Sequence, residues 1–354
     1  MSHVPGFDPF DETQALEQAA PPKKKSKTKR RVAAVLLSFL AVVLLAGGAA
    51  GFYAYNLLHT FDTKKQSIPQ AEVFPEESSR PTKAADDKST NFLLLGSDTR
   101  AETTDGQDSA TAAGRSDTIM FVHVPADRHD VTVTSIMRDN WVSIPGHGDA
   151  KINAAFSYGG IPLAVQTIES LFDTRIDHVA TIDFQGFKDL VDAIGGVEVT
   201  IPKPFTKAGT HYEGTMTLNG EQALWFARER HSFIDSDYQR VKDQQILMSA
   251  IIKQTLSKST LTSPSKVSDI VSNFSPYIGV DESLSGTALA ELGFSLREVR
   301  AGEVHFFTLP TLGTGRSPDG KQSIVKPDTE AIAAMGKALK KDDMDSFMKQ
   351  YKLG

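Results

Sequence analysis

Hydrophobic and polar positions divide the chain into stretches of different period. Val32 to Leu58 carries no charged residue, which exceeds the about 20 apolar residues that cross a bilayer. The dense basic run from Lys23 to Arg31 precedes it. By the positive-inside rule the N-terminus is cytoplasmic and everything past Leu58 lies outside. A cleaved signal peptide is the rival reading, with small residues at Ala46 to Ala50. Its apolar region would span only about 7–15 residues, so an uncleaved single-pass anchor is the expectation, with Tyr53 and Tyr55 at the outer interface.

Residues 59–89 hold Pro69, Pro75, Pro81 and many charges, and read as a stalk. Asn91 to Leu95 reads as a buried strand running into Gly96. Residues 101–114 are small, polar and acidic, and read as a loop. Thr118–Val124 and Val131–Ile136 read as strands of a hairpin around Pro125-Ala126-Asp127. A helix is expected over Asn153–Phe172 and a strand over His178–Ile182. Phe187, Leu190, Val191 and Ile194 recur at helical spacing, and Gly195-Gly196 supplies the C-cap. Val197 to Ile201 alternates as a strand and stops at Pro202.

Asn219-Gly220-Glu221-Gln222 has the form of a capping box, opening a helix to about Ala227. Asp237 caps a longer helix to about Leu256. Residues 258–300 are weakly patterned. Val304–Leu309 reads as a late strand and Asp328–Leu339 as a final helix. Strands mixed with helices predict an α/β domain, an α-β-α sandwich on a mixed central sheet, behind one N-terminal transmembrane helix. The boundaries are 1–31 for a basic cytoplasmic tail, 32–58 for the membrane helix, 59–89 for the stalk, 90–340 for the folded domain and 341–354 for a charged C-terminal tail.

Composition narrows the chemistry. With 354 residues and no cysteine, disulfides, thiolate metal sites and a cysteine nucleophile are excluded. Of 38 Lys/Arg and 44 Asp/Glu, seven basic and four acidic residues precede residue 59. That leaves 31 against 40 beyond it, a net of -9. Such a domain is no general nucleic-acid binder.

Its cations are local. Arg115, Arg138, Lys151, Arg228, Arg230 and Arg240 stand in short polar motifs with Asp98, Asp117 and Gln244. Guanidinium forks suit phosphate oxygens, and two aspartates among them suit a divalent cation. Each residue also has a plainer reading, as a turn or cap aspartate, a surface ion pair or a solvated helix-start lysine. Arg115 and Asp117 share a face on extended backbone. Arg228 and Arg230 diverge on a continuous helix, so their convergence requires the helix to end near Ala227. Arg240 and Gln244 share a helical face. The histidines show no zinc-ligand spacing, and no Gly-x-Ser-x-Gly elbow or P-loop is present. The apolar helix faces at Ile161–Leu171, Phe184–Ile194 and Ile246–Leu256 read as core, or as walls of a groove for a lipid tail.

The ordered motifs resemble the LytR-CpsA-Psr family of cell-wall glycopolymer ligases. They are Leu93 to Arg100, Arg115 to Thr118, Arg138-Asp139, Lys151 to Gly160, Asp183 to Phe187, Val191 to Val197, Leu218 to Leu224, Arg228-x-Arg230, Arg240 and Gln244. The resemblance implies a membrane-anchored phosphotransferase. Its donor would be a glycopolymer on a polyprenyl-pyrophosphate carrier and its acceptor the 6-hydroxyl of N-acetylmuramic acid in peptidoglycan. A phosphodiester forms and polyprenyl phosphate leaves. Asp98 and Asp117 would hold magnesium (or manganese) on the pyrophosphate. Arg115, Arg138, Lys151, Arg228, Arg230, Arg240 and Gln244 would bind the phosphates and lipid head. A buried tunnel for the lipid is implied as well. Met137 stands where the family commonly has proline, and the loop between Asp98 and Arg115 is long. The alternatives are a pyrophosphatase acting on the same lipid, a non-catalytic lipid-phosphate binder and a transcriptional attenuator. No helix-turn-helix signature supports the last.

Overall fold

The computed structural model describes residues 48–97, 116–230, 232–233 and 236–353. Residues 1–31 and most of the predicted membrane span, 32–47, lie outside these. Among the described residues no helix is long and apolar enough to cross a membrane. Residues 48–53 are helical. From Ala54 the chain forms one compact unit, which opens with helix α1 over 54–64.

Strand β1 (Gln66–Ile68) and the short helix α2 (Gln70–Val73) follow. Next come β2 (Thr90–Ser97), β3 (Ser116–Val124) and β4 (Val131–Ile136), then the hairpin β5 (Trp141–Ile144) and β6 (Gly148–Lys151). Helix α3 (Asn153–Phe172) leads to β7 (His178–Ile182), α4 (Phe184–Ala193) and β8 (Val197–Thr200). Strands β9 (Phe205–Lys207), β10 (Thr210–Tyr212) and β11 (Thr215–Leu218) precede helices α5 (Gly220–Arg228) and α6 (Ser236–Thr255). The C-terminal third holds α7 (Lys258–Leu261), α8 (Pro264–Phe274), β12 (Ile278–Asp281), α9 (Gly286–Ser295), β13 (Val304–Thr308), β14 (Thr311–Arg316) and β15 (Ser323–Pro327). Helices α10 (Thr329–Lys341) and α11 (Met344–Tyr351) end it.

Seven strands form the central sheet in the order β1-β12-β7-β2-β3-β4-β13. It is mixed: β1/β12, β2/β7 and β4/β13 are parallel, and the other pairs antiparallel. Period-2 alternation divides β2 between two cores. Leu93 and Leu95 join Phe121, Val179 and Phe307 under α3, α10 and α11. Phe92 faces the other way, with Phe61, Val280 and Leu284. A third core sits under α4, α5, α6 and the small strands, around Val191, Phe205, Tyr212 and Phe226.

Local chemistry sets the ends of α4 and α5, and the glycine stop and the capping box fall where the sequence predicts, while Asp237 lies in the first turn of α6 and not before it. Asp183 caps α4 by accepting from Gly186 N, and Gly195-Gly196 ends the turn at φ of 85° and 84°, where a side chain would be strained. Asn219 and Gln222 close a reciprocal capping box on α5.

Two boundaries need correction. The predicted stalk, 59–89, is folded: β1 joins the sheet, Ile68 and Val73 are buried, and Arg80 Nη2 lies 2.7 Å from the buried Glu169 Oε1. The predicted tail after 340 carries α11, whose Met344, Phe347 and Met348 are buried in the main core. Three apolar positions at spacings of three and four suffice to dock a short helix.

Candidate active site

A cavity of about 560 Å³ opens beside the sheet face. Its floor is Leu94 to Gly96, Thr118 and Met120 from β2 and β3, with Ala180 to Ile182 from β7. Its roof comes from α4, α5 and α6. Phe187, Leu190, Leu224, Leu247, Met248 and Ile251 make much of that roof apolar. Arg138, Arg228, Arg230, Arg240 and Gln244 also line the cavity, so five of the nine predicted site residues meet in one place.

Each arrives by a different local route. Arg138 follows β4, which is buried along its whole length. Arg228 is the last residue of α5, and its guanidinium sits 4.3 Å from the Phe184 ring centre, a cation–π contact. Glu229 is extended, with φ -68° and ψ 130°, so the helix stops where convergence with Arg230 requires. Arg240 and Gln244 share a face of α6, and Gln244 Nε2 donates to Ala227 O at 3.2 Å, tying α6 to the end of α5.

Asp237 bridges the guanidinium groups. Its Oδ2 lies 3.4 Å from Arg138 Nε and 3.4 Å from Arg240 Nη2. Arg240 is buried, with 5 % of its surface exposed, and a buried charge requires such pairing. Lys207, from β9, is a further cation in the wall. It pairs with the buried Glu229, Nζ to Oε2 at 3.4 Å. Behind this wall Asp243 is fully buried. Burial pushes its carboxyl up to about 7 and Glu229 adds to the rise, while a hydrogen bond from Gln239 and the charges of Lys203 and Lys242 oppose it.

Of the remaining four predicted residues, only Lys151 has a described side chain. Lys151 ends β6 and its Nζ lies 3.1 Å from Asp139 Oδ1; it is not in the cavity wall. Asp98 and Arg115 lie outside the described residues, as does the side chain of Asp117, whose backbone belongs to β3. Ser97 pairs with Ser116, and Gly96 with Thr118, both lining residues. Among the described residues no cluster of three or more His, Asp or Glu is arranged to hold a metal ion.

Sequence reasoning missed Lys207 and Glu229 and read Asp237 only as a helix cap. Lys207 sits on a three-residue strand and carries no local signal. Glu229 is recognisable only from the constraint that two arginines flanking one residue must converge.

The site joins guanidinium groups to an apolar chamber, which suits an anionic head on a hydrocarbon tail. Comparison with known proteins gives the class. The chain matches the LytR_cpsA_psr family over residues 53–341, and it belongs to that family. It is 34% identical over 215 residues, 60% of this chain and 68% of the other, to Polyisoprenyl-teichoic acid–peptidoglycan teichoic acid transferase TagU of Bacillus cereus strain AH820. Among solved structures it is similar to B. subtilis TagV (TM-score 0.60, 25% identity, 73% of this chain and 98% of that one). It is also similar to TagT bound to LI-WTA (TM-score 0.56, 27% identity, 76% and 98%).

Proposed function

We propose that this chain transfers a glycopolymer from a polyprenyl-pyrophosphate carrier to peptidoglycan. The observation that carries the reading is the single cavity in which Arg138, Arg228, Arg230 and Arg240 border an apolar chamber. The arginines would bind the pyrophosphate, and the apolar walls the first isoprene units. The acceptor is the 6-hydroxyl of an N-acetylmuramic acid residue. Its oxygen forms a bond to the saccharide-linked phosphorus and its proton passes to water, while the bridging P–O bond breaks and polyprenyl phosphate leaves with the electron pair. Catalysis of such transfer rests on positioning and charge stabilisation, which fixed guanidinium groups supply.

Two carboxylates, Asp98 and Asp117, are hard oxygen donors suited to magnesium or manganese. The Ser97–Ser116 pairing, directly before both positions in the chain, supports a shared site at this end of β2 and β3. Such an ion, when bound, would offset charge on the pyrophosphate. The charge-free stretch 32–58 behind its basic run supports a membrane anchor with the N-terminus in the cytoplasm and the active domain outside.

The test uses the full-length chain in detergent with magnesium, a polyprenyl-pyrophosphate-linked saccharide and peptidoglycan oligomers, read by mass spectrometry. A saccharide joined to muramic acid through a phosphodiester is the expected product. Free saccharide phosphate without an adduct would assign a pyrophosphatase instead, and binding without turnover a lipid-phosphate carrier.

A further inference from the structure

Arg228 and Arg230 face one cavity although only one residue separates them, and that residue is an acid. Glu229 is buried, yet it lines the same cavity as four arginines. A carboxylate there opposes an anionic substrate unless it serves another purpose. Its contacts give that purpose. Oε1 accepts from Arg230 N at 3.0 Å and from Ser232 N at 3.0 Å. These donors follow the C-terminus of α5, and the carboxylate gathers them into a turn. Oε2 faces Lys207 Nζ at 3.4 Å, and Lys207 lies 5.6 Å from the Trp225 ring centre, one turn back on α5.

We infer that Glu229, neutralised by Lys207, is a positioning residue: it turns the chain after Arg228 and so aims Arg228 and Arg230 at one pyrophosphate. The inference rests on the phosphotransferase reading and adds two residues to it. The geometry favours holding over proton transfer, because Oε1 is committed to two backbone N–H groups. Lys207 completes the arrangement from β9. Its ammonium cancels the carboxylate charge, so the cavity stays attractive to an anion. Without Lys207 the buried carboxylate loses a positive charge that offsets it on the cavity side.

Five forms of the full-length protein separate the roles: wild type, Glu229→Gln, Glu229→Ala, Lys207→Met and the Lys207→Met/Glu229→Gln double variant. Transfer kinetics and binding of a short polyprenyl pyrophosphate are both measured, with thermal midpoints as a control on folding. Glutamine keeps an Oε1 that accepts both N–H groups, so Glu229→Gln stays within about threefold of wild type in kcat. Alanine cannot accept them, and kcat falls about 10²-fold, the scale of a small misplacement of positioned groups. Lys207→Met weakens pyrophosphate binding about tenfold or more by removing a charge that offsets the acid, and the double variant recovers most of that loss. Wild-type kcat in Glu229→Ala, or a double variant that binds no better than Lys207→Met, overturns the inference. Should wild type transfer no saccharide at all, the phosphotransferase reading falls, while the binding comparison still decides for or against the pair.

Discussion

Arg138 and Arg240 reach the same carboxylate oxygen, Asp237 Oδ2, each at 3.4 Å. One guanidinium follows a strand of the central sheet and the other rides on α6. Two like charges held together repel, and Asp237 offsets that repulsion while fixing their spacing. Asp237→Ala is expected to lower kcat by about 10–100-fold with a smaller change in donor KM, because the charges remain and their geometry is lost. Steady-state kinetics over a donor titration would measure the split, and an unchanged kcat would rule the bridge unimportant.

Arg228, Arg230 and Arg240 stabilise charge by position. Replacing any one with alanine is expected to lower transfer by about 10²–10³-fold. Arg228 is exposed on its helix end and Arg240 is buried, so Arg228→Ala should keep the wild-type melting temperature and Arg240→Ala should lose some of it. Full activity in both variants would remove the cavity from consideration as the donor site.

The apolar half of the cavity makes its own prediction. Met248 lines it from α6 and is only partly buried, so Met248→Trp fills space without crowding a packed interior. KM for a long polyprenyl donor should rise several-fold, and KM for a donor truncated to one or two isoprene units should stay near wild type. Equal effects on both donors would place the hydrocarbon elsewhere.

Asp243 links pH to stability. Its folded-state pKa of about 7 lies above the about 3.9 of an unfolded aspartate. The native state therefore holds the proton more tightly, and stability falls as pH rises from about 4 to 7, by at most about 1.4 kcal/mol per pH unit. Asp243→Asn removes the buried charge and should raise the melting temperature at pH 8 relative to wild type, with the advantage shrinking toward pH 4. A gain of the same size at both pH values would contradict this origin.

Arg80 tests whether 59–89 is part of the fold. Glu169 is 1 % exposed and accepts from Arg80 Nε and Nη2 as well as from Ile176 N. Arg80→Ala would leave that carboxylate buried with its main charge partner gone, a loss of about 3–5 kcal/mol. Chemical denaturation should show it; a change below about 0.5 kcal/mol would restore the stalk reading.

The sequence carries the main elements because their periods are long enough to see. Strands β2, β3, β4, β7 and β13 and helices α3 to α6 stand close to where apolar spacing and capping residues place them, and Arg138, Arg228, Arg230 and Arg240 line one cavity. What escaped is short or depends on distant partners. Gln66 to Ile68 and Ile278 to Asp281 are too brief to show alternation, yet they pair with each other at the sheet edge. Met344, Phe347 and Met348 are spaced as a helical face but diluted by charges. Lys207 and Glu229 become partners only once β9 packs beside the end of α5.

Three aligned residue pairs, Gln66–Gly279, Ser67–Val280 and Ile68–Asp281, join β1 to the sheet in parallel. Lys65 Nζ donates to Leu284 O just before them at 2.7 Å, and the Arg80–Glu169 pair follows. This makes the edge strand a mechanical coupling. Tension along the N-terminal segment would load the β1–β12 ladder in shear, where its hydrogen bonds resist together. The cavity, built from the interior strands and from helices farther along the chain, would keep its shape under a pull that an unstructured leash would only have let drift.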